Sequence, residues 1–243
     1  SMLRAYYDIA QKEKFDKRFG NLWIGSHPTP MQGQYQVLYL DFSRASGGNG
    51  SLAENFDRYC SMAMDVFGKV YEPYYFPGYA KKMEAQPDFV SKLNYLNFHS
   101  AEYGAKLYLI IDEYDNFTNT ILSTYGTEAY HKATHGEGFF RYFFNVIKVM
   151  TSANGRALER MFITGVSPIT LDDVTSGFNI GSNFTTSKTF NNIVGFSETE
   201  LRTMLEYYRE QGVLQMDIEE MIEQMKPWYD NYCFAEECLG ESM

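Results

Sequence analysis

The chain has 243 residues, 44% hydrophobic and 17% aromatic, with 20 Tyr and 19 Phe. That is enough apolar material for one α/β domain with an appendage, burying roughly 70–75% of its unfolded surface, and it excludes a disordered chain. A formal net charge of −10 and a pI near 4.9 exclude a broad nucleic-acid backbone footprint, which needs clustered Lys and Arg.

No stretch approaches the roughly 18–20 consecutive apolar residues of a membrane span. Cys60, Cys233 and Cys238 form a sparse, odd set with no secretory signal upstream, which points to a reducing compartment and a cytoplasmic protein. The opening Ser1-Met2 reads as a tag remnant or as the cut end of a longer protein.

In chain order, residues 3 to 19 pattern as one helix through Leu3, Tyr6, Tyr7, Ile9, Phe15 and Phe19, stopped by Gly20. The run from Tyr35 to Phe42 reads as a strand closing on Asp41. A Gly-rich loop follows at 45–50, but Ser51-Leu52 stands where a phosphate loop needs Gly-Lys-Ser/Thr, so a simple strand-to-helix connection is the better account. Helices are expected over about Leu52 to Phe67 and Phe89 to Tyr103.

The next segment, Leu107-Tyr108-Leu109-Ile110-Ile111, runs without a break into Asp112-Glu113-Tyr114-Asp115. An unbroken branched and aromatic run suits a strand buried on both faces of a parallel sheet. Its acids then sit at the carboxyl end, where ligands bind in open α/β sheets. One carboxylate there can hold Mg²⁺ through water and the next can orient or deprotonate an attacking water. The same letters also suit a strand that simply ends in solvated acids.

His131 and His135 are spaced i, i+4, but the surrounding Lys132-Ala133-Thr134 and Gly136 favour a polar loop over a metal site. Phe139, Phe140, Phe143, Phe144, Ile147 and Met150 recur at helical spacing, giving an apolar core helix over about 137–153. A third strand is expected at Met161 to Val166, ending at Ser167-Pro168. The order strand, helices, strand, helix, strand implies a parallel sheet.

Ser197-Glu198-Thr199-Glu200 is a capping box that starts an amphipathic helix through Leu201, Met204, Leu205 and Tyr208. Asp217 and Glu220 begin a second one through Ile218, Met221, Ile222 and Met225, ending near Pro227. The aromatic cluster from Trp228 to Phe234 lacks interleaved Lys or Arg, which favours packing over base stacking. The division expected is a core over 1–192 and the start of a helical subdomain over 193–243. Cys233 and Cys238 have no partner pair for zinc.

Taken together, Val37-Leu38-Tyr39-Leu40-Asp41-Phe42-Ser43, Ile110 to Asp115, Phe162-Ile163-Thr164-Gly165-Val166-Ser167, Ile193 to Leu201 and Trp228 to Phe234 resemble the bacterial AAA-ATPase-like family. Its members often carry a C-terminal nuclease-like domain. The resemblance implies a P-loop NTPase fold with an extra strand between the phosphate loop and the Walker B strand, using ATP and Mg²⁺. Asp112 would then coordinate Mg²⁺, Glu113 would polarise the attacking water, and Thr164 or Ser167 would be the polar sensor of the γ-phosphate. Asp115 matches the motif without an assigned role.

The family's Gly-Lys-Ser loop is not in this sequence. Within the resemblance the chain begins in the helix after that loop, and nucleic acid would be a partner only through a domain beyond Met243. A nucleotide-insensitive interaction scaffold is the competing reading. A receiver-like phosphotransfer domain is disfavoured, because no suitable lysine follows a later strand. Oligomeric state is not legible.

Overall fold

The computed structural model of the chain describes residues 1–45, 50–152, 157–166, 181–191, 193 and 195–229. The chain divides into two compact units, Ser1–Gly181 and Ser182–Met243.

The first unit is built on a parallel sheet of β1 (Gln36–Asp41), β2 (Leu107–Asp112) and β3 (Leu158–Ile163), in that spatial order. β2 is therefore central, as its unbroken apolar run predicts. Its alternate residues feed two layers. Leu107, Leu109 and Ile111 join Leu38 and Leu40 in the main core, whereas Tyr108 and Ile110 join Tyr35 and Val37 on the opposite face. β1 and β2 run in register from Gln36 opposite Leu107 to Asp41 opposite Asp112, so both strands end on an acid at the same level.

Helices cover the main-core face because each supplies an apolar stripe. α4 (Leu52–Tyr71) starts with a capping box in which the Ser51 hydroxyl accepts from the Glu54 amide and the Glu54 carboxylate accepts from the Ser51 amide. α5 (Tyr79–Glu84) and α6 (Phe89–Glu102) follow. The phenylalanine stripe of α8 (Phe139–Met150) is core as expected: Phe140, Phe143 and Phe144 are buried. Ring centroids lie 5.7 Å apart for Phe42 and Phe140, 5.6 Å for Phe56 and Phe143, and 5.3 Å for Phe117 and Phe140. Truncating one such ring to alanine costs about 3–5 kcal/mol.

Four expectations are corrected. The helix expected over 3–19 is three pieces, α1 (Met2–Tyr7), a 3-10 turn over Ile9–Lys14 and α2 (Phe15–Phe19). The break is at Asp8, which turns extended to bridge Tyr35: the Tyr35 amide bonds the Tyr7 carbonyl at 3.0 Å and the Ile9 amide bonds the Tyr35 carbonyl at 2.8 Å. Asp8 is fully buried there, accepting from the Ala10 amide and the Tyr71 hydroxyl, each at 2.8 Å. A short helix α3 (Trp23–Ser26) follows α2.

β3 begins three residues earlier than expected and ends at Ile163, because its register with β2 closes at Ile111 opposite Ile163. The polar pair Glu159-Arg160 hid its start. The segment around His131 is not a loop: α7 spans Tyr114–Thr134, kinked at Gly126, whose φ of 80° interrupts the helix. Buried Phe117, Ile121, Tyr130 and Ala133 pay the helix to the core.

In the second unit the expected box forms at Ser197 and Glu200 and opens α9 (Glu198–Glu210). α10 (Ile218–Tyr229) packs Ile218 and Ile222 on Leu205, with Leu201, Leu214 and Met221 around them. α10 ends near Pro227 as expected, at Tyr229; the fourth correction is that Trp228 and Tyr229 are exposed rather than packed. The rest of that aromatic cluster, with Cys233 and Cys238, lies outside the described residues. Among the described residues no helix is long and apolar enough to cross a membrane.

Candidate functional site

The carboxyl end of the sheet gathers the residues that the sequence singles out. Side chains at 39 and 112 share one sheet face through the two-residue period of their strands, and Thr164 continues β3 onto the same face. Beyond Ile163 the chain keeps hold of β2: the Thr164 amide bonds the Ile111 carbonyl at 2.9 Å, and the Thr164 carbonyl accepts from the Tyr114 amide at 3.1 Å. Thr164 is thus fixed beside Asp112.

Both oxygens of Asp112 accept hydrogen bonds. The Thr164 hydroxyl donates to Oδ1, and the Tyr39 hydroxyl donates to Oδ2 at 2.8 Å. The Thr164 bond is the main reason that the Asp112 carboxyl sits below the usual carboxylate range; the Tyr39 hydroxyl, the Glu113 amide and the amino group of Ser1 add to it against partial burial. The same arrangement, led by burial and followed by the Asp112 contact, pushes the Tyr39 phenol up to about 12. Asp112 is therefore ionised and Tyr39 neutral at physiological pH.

Glu113 follows with φ 50° and ψ 45°, among the described residues the non-glycine position with positive φ. An L-residue there carries strain of about 1–2 kcal/mol. The turn lets β2 end and α7 begin within one residue, and it leaves the Glu113 side chain exposed at the carboxyl end of the central strand. Asp115, one residue into α7, is instead 2% exposed, and its Oδ2 accepts from the Val166 amide at 3.0 Å. Ser167 lies outside the described residues.

Asp41, at the end of β1, is engaged locally. Its Oδ1 accepts from the Ser43 amide and hydroxyl at 3.2 and 2.6 Å, and its Oδ2 lies 3.2 Å from Arg44 Nε. Two residues of the site lie within the quoted segments but have no role assigned from the sequence. Tyr39 could have been found from its place two residues before Asp41 on one strand face. Gly165 could not, because its role is steric: a Cβ there would lie 2.4 Å from Tyr114 Cε1 and 2.5 Å from Asp115 Oδ1.

A divalent cation fits this donor set in one way. Each Asp112 oxygen keeps a lone pair beyond its hydroxyl contact. Among the described residues no group of three or more His, Cys, Asp and Glu side chains is placed to hold a metal alone. A hard cation would thus take most of its ligands from water and from substrate oxygens, as Mg²⁺ does with nucleotides.

The histidine pair has a simpler account. His131 and His135 bring their Nδ1 atoms to 3.3 Å. The Thr134 hydroxyl gives its proton to the Tyr130 carbonyl, so its 2.8 Å contact with His135 is one in which Nδ1–H of His135 donates.

A family model described as AAA-ATPase-like, predicted AAA-ATPase, matches residues 1–175. Comparison with curated proteins and with solved structures gave no match.

Proposed function

This chain belongs to the AAA-ATPase-like family, and from that premise we propose that the carboxyl end of its sheet is a magnesium–nucleotide site where the γ-phosphate of ATP is hydrolysed. In this reading the α/β layer is a P-loop NTPase core and Asp112-Glu113 is its Walker B pair. The observation that carries it is the contact of Asp112 with the Thr164 hydroxyl at the ends of adjacent strands, with the exposed Glu113 carboxylate next in sequence.

Each residue has work suited to its setting. Asp112, kept ionised by its hydroxyl donors, holds Mg²⁺ through bound water. When present, the cation supplies charge neutralisation on the β- and γ-phosphate oxygens. Glu113, on its strained turn, orients the attacking water and takes its proton. Thr164 has a single hydroxyl proton, which rests on Asp112. To read a γ-phosphate it must turn that proton away, and doing so frees an Asp112 oxygen at the moment when substrate arrives.

The reading requires a lysine-bearing phosphate loop that residues 1–243 do not contain. The test needs a protein in which such a loop is joined to these residues. Glu113→Gln should bind ATP within about threefold of wild type while kcat falls by about 100-fold or more, the ordinary contribution of a general base. Unchanged turnover in Glu113→Gln would remove Glu113 from the mechanism.

A further inference from the structure

Asp115 is a nearly fully buried carboxylate that the hydrolytic chemistry above does not use. It sits in the first turn of α7, where the helix dipole favours a negative charge, and its Oδ2 receives the Val166 amide. Three further bonds tie the same short stretch to the same place. The Thr164 amide goes to Ile111, the Tyr114 amide comes to the Thr164 carbonyl, and the Thr164 hydroxyl goes to Asp112. Between these anchors Gly165 lies so close to the Tyr114 ring and the Asp115 carboxylate that no side chain fits.

The exit of β3 is therefore fastened at residue 164 to the end of β2 and at residue 166 to the first turn of α7. From this geometry we infer that Asp115 is a positioning residue: by holding the Val166 amide it fixes the 164–166 stretch so that the Thr164 side chain stays beside Asp112. The inference rests on the nucleotide reading for its kinetic consequence, and on geometry alone for its structural one. It gives the fourth letter of Asp-Glu-Tyr-Asp a task, and it explains why Thr-Gly-Val belongs with that motif. A carboxylate receives a backbone amide more strongly than a neutral acceptor does, so removing it releases the Val166 amide from its anchor.

The experiment compares Asp115→Ala with Asp115→Asn in the full-length protein. Asn keeps an oxygen acceptor of the same reach, so it also serves if Ala fails to fold. Loss of a group that orients a metal-site residue lowers activity by about 10–100-fold. That loss is expected in kcat for Ala with KM for ATP within about twofold, and Asn should recover most of it. Hydrogen exchange at the Thr164 and Val166 amides provides a readout without catalysis. Exchange should quicken at least tenfold in Ala and stay near wild type in Asn, while β1 amides keep their protection. Wild-type exchange at 164–166 in Asp115→Ala would overturn the inference. So would a fall in kcat that Asn does not recover while its exchange is normal. If the wild-type protein hydrolyses no ATP but the exchange pattern appears, the nucleotide reading fails and the positioning role stands.

Discussion

Replacing Glu113 by glycine should stabilise the protein and, under the proposed function, abolish ATP hydrolysis. The residue holds φ 50° and ψ 45° at the junction of β2 and α7, a conformation that costs an L-residue about 1–2 kcal/mol and glycine almost nothing. Glycine also gives the unfolded chain more freedom, which takes back about 0.4–1 kcal/mol. The net expectation is about 0.5–1 kcal/mol in favour of Glu113→Gly. For a chain of this length that corresponds to roughly 1–4 °C in melting temperature. The informative comparison is with Glu113→Ala, which loses the same carboxylate but keeps the strain, so glycine should exceed alanine by about 1 kcal/mol. At the exposed neighbour Asn116, inside α7, the order should reverse, with glycine below alanine by about 0.5–1 kcal/mol. Calorimetric or denaturant unfolding of the four variants measures this directly. Alanine equal to or above glycine at position 113 would refute the strain argument, and with it the idea that the turn is maintained to present a carboxylate.

Two further outcomes follow from the same geometry. Gly165→Ala drives a Cβ to within 2.4 Å of the Tyr114 ring, so it should destabilise by about 1–3 kcal/mol as other overpacked sites do. Gly181→Ala, which meets nothing within 4 Å, should stay within about 0.5 kcal/mol of wild type, and equal stability of the two variants would contradict the packing described. Tyr39→Phe removes one of the two hydroxyls that hold the Asp112 carboxyl below its usual range, so the Asp112 pKa, followed by carboxyl-carbon magnetic resonance, should rise toward the unfolded value of about 3.9. Because that carboxyl is depressed in the folded state, its contribution to stability is present above about pH 4 and is lost as pH falls through the folded value. The variant should lose part of that contribution, with little change in stability below the wild-type folded pKa, and an unmoved Asp112 titration would show that Tyr39 is not its partner.

Much of the sheet was legible because burial on both faces leaves a plain mark: five apolar residues of β2 ending at Asp112 could hardly be anything else, and β1 ended on Asp41 in the same way. The phenylalanine spacing of α8 and the Ser197–Glu200 box were equally direct. What escaped depended on contacts distant in sequence. Nothing local at Asp8 announces that it leaves the helix to bridge Tyr35, since its partners Tyr71 and Tyr35 come from other elements. β3 was misplaced because only Leu158 in it is fully buried, so its pattern followed the apolar patch at 161–163 rather than the ladder. The Ser51–Glu54 box of α4 is written in the letters, next to a glycine loop that carries the stronger local signal. In the site, Asp112 and Thr164 were singled out from motifs 52 positions apart, and the structure joins them by a hydrogen bond. The Tyr39 contact and the steric role of Gly165 needed coordinates, because each is defined by what lies across a strand or against a helix turn.

The central claim is that nucleotide-bound divalent metal sits at Asp112. Titrating the isotope-labelled full-length protein with ATP and a trace of paramagnetic Mn²⁺ in place of Mg²⁺ locates it. The account predicts that the amide signals of Ile111, Asp112, Glu113 and Thr164 broaden first, that the signal of Leu107 at the amino end of β2 is affected later, and that Asp112→Asn weakens the effect. Early broadening elsewhere with these four signals intact, or the same broadening without ATP and in Asp112→Asn, would contradict it.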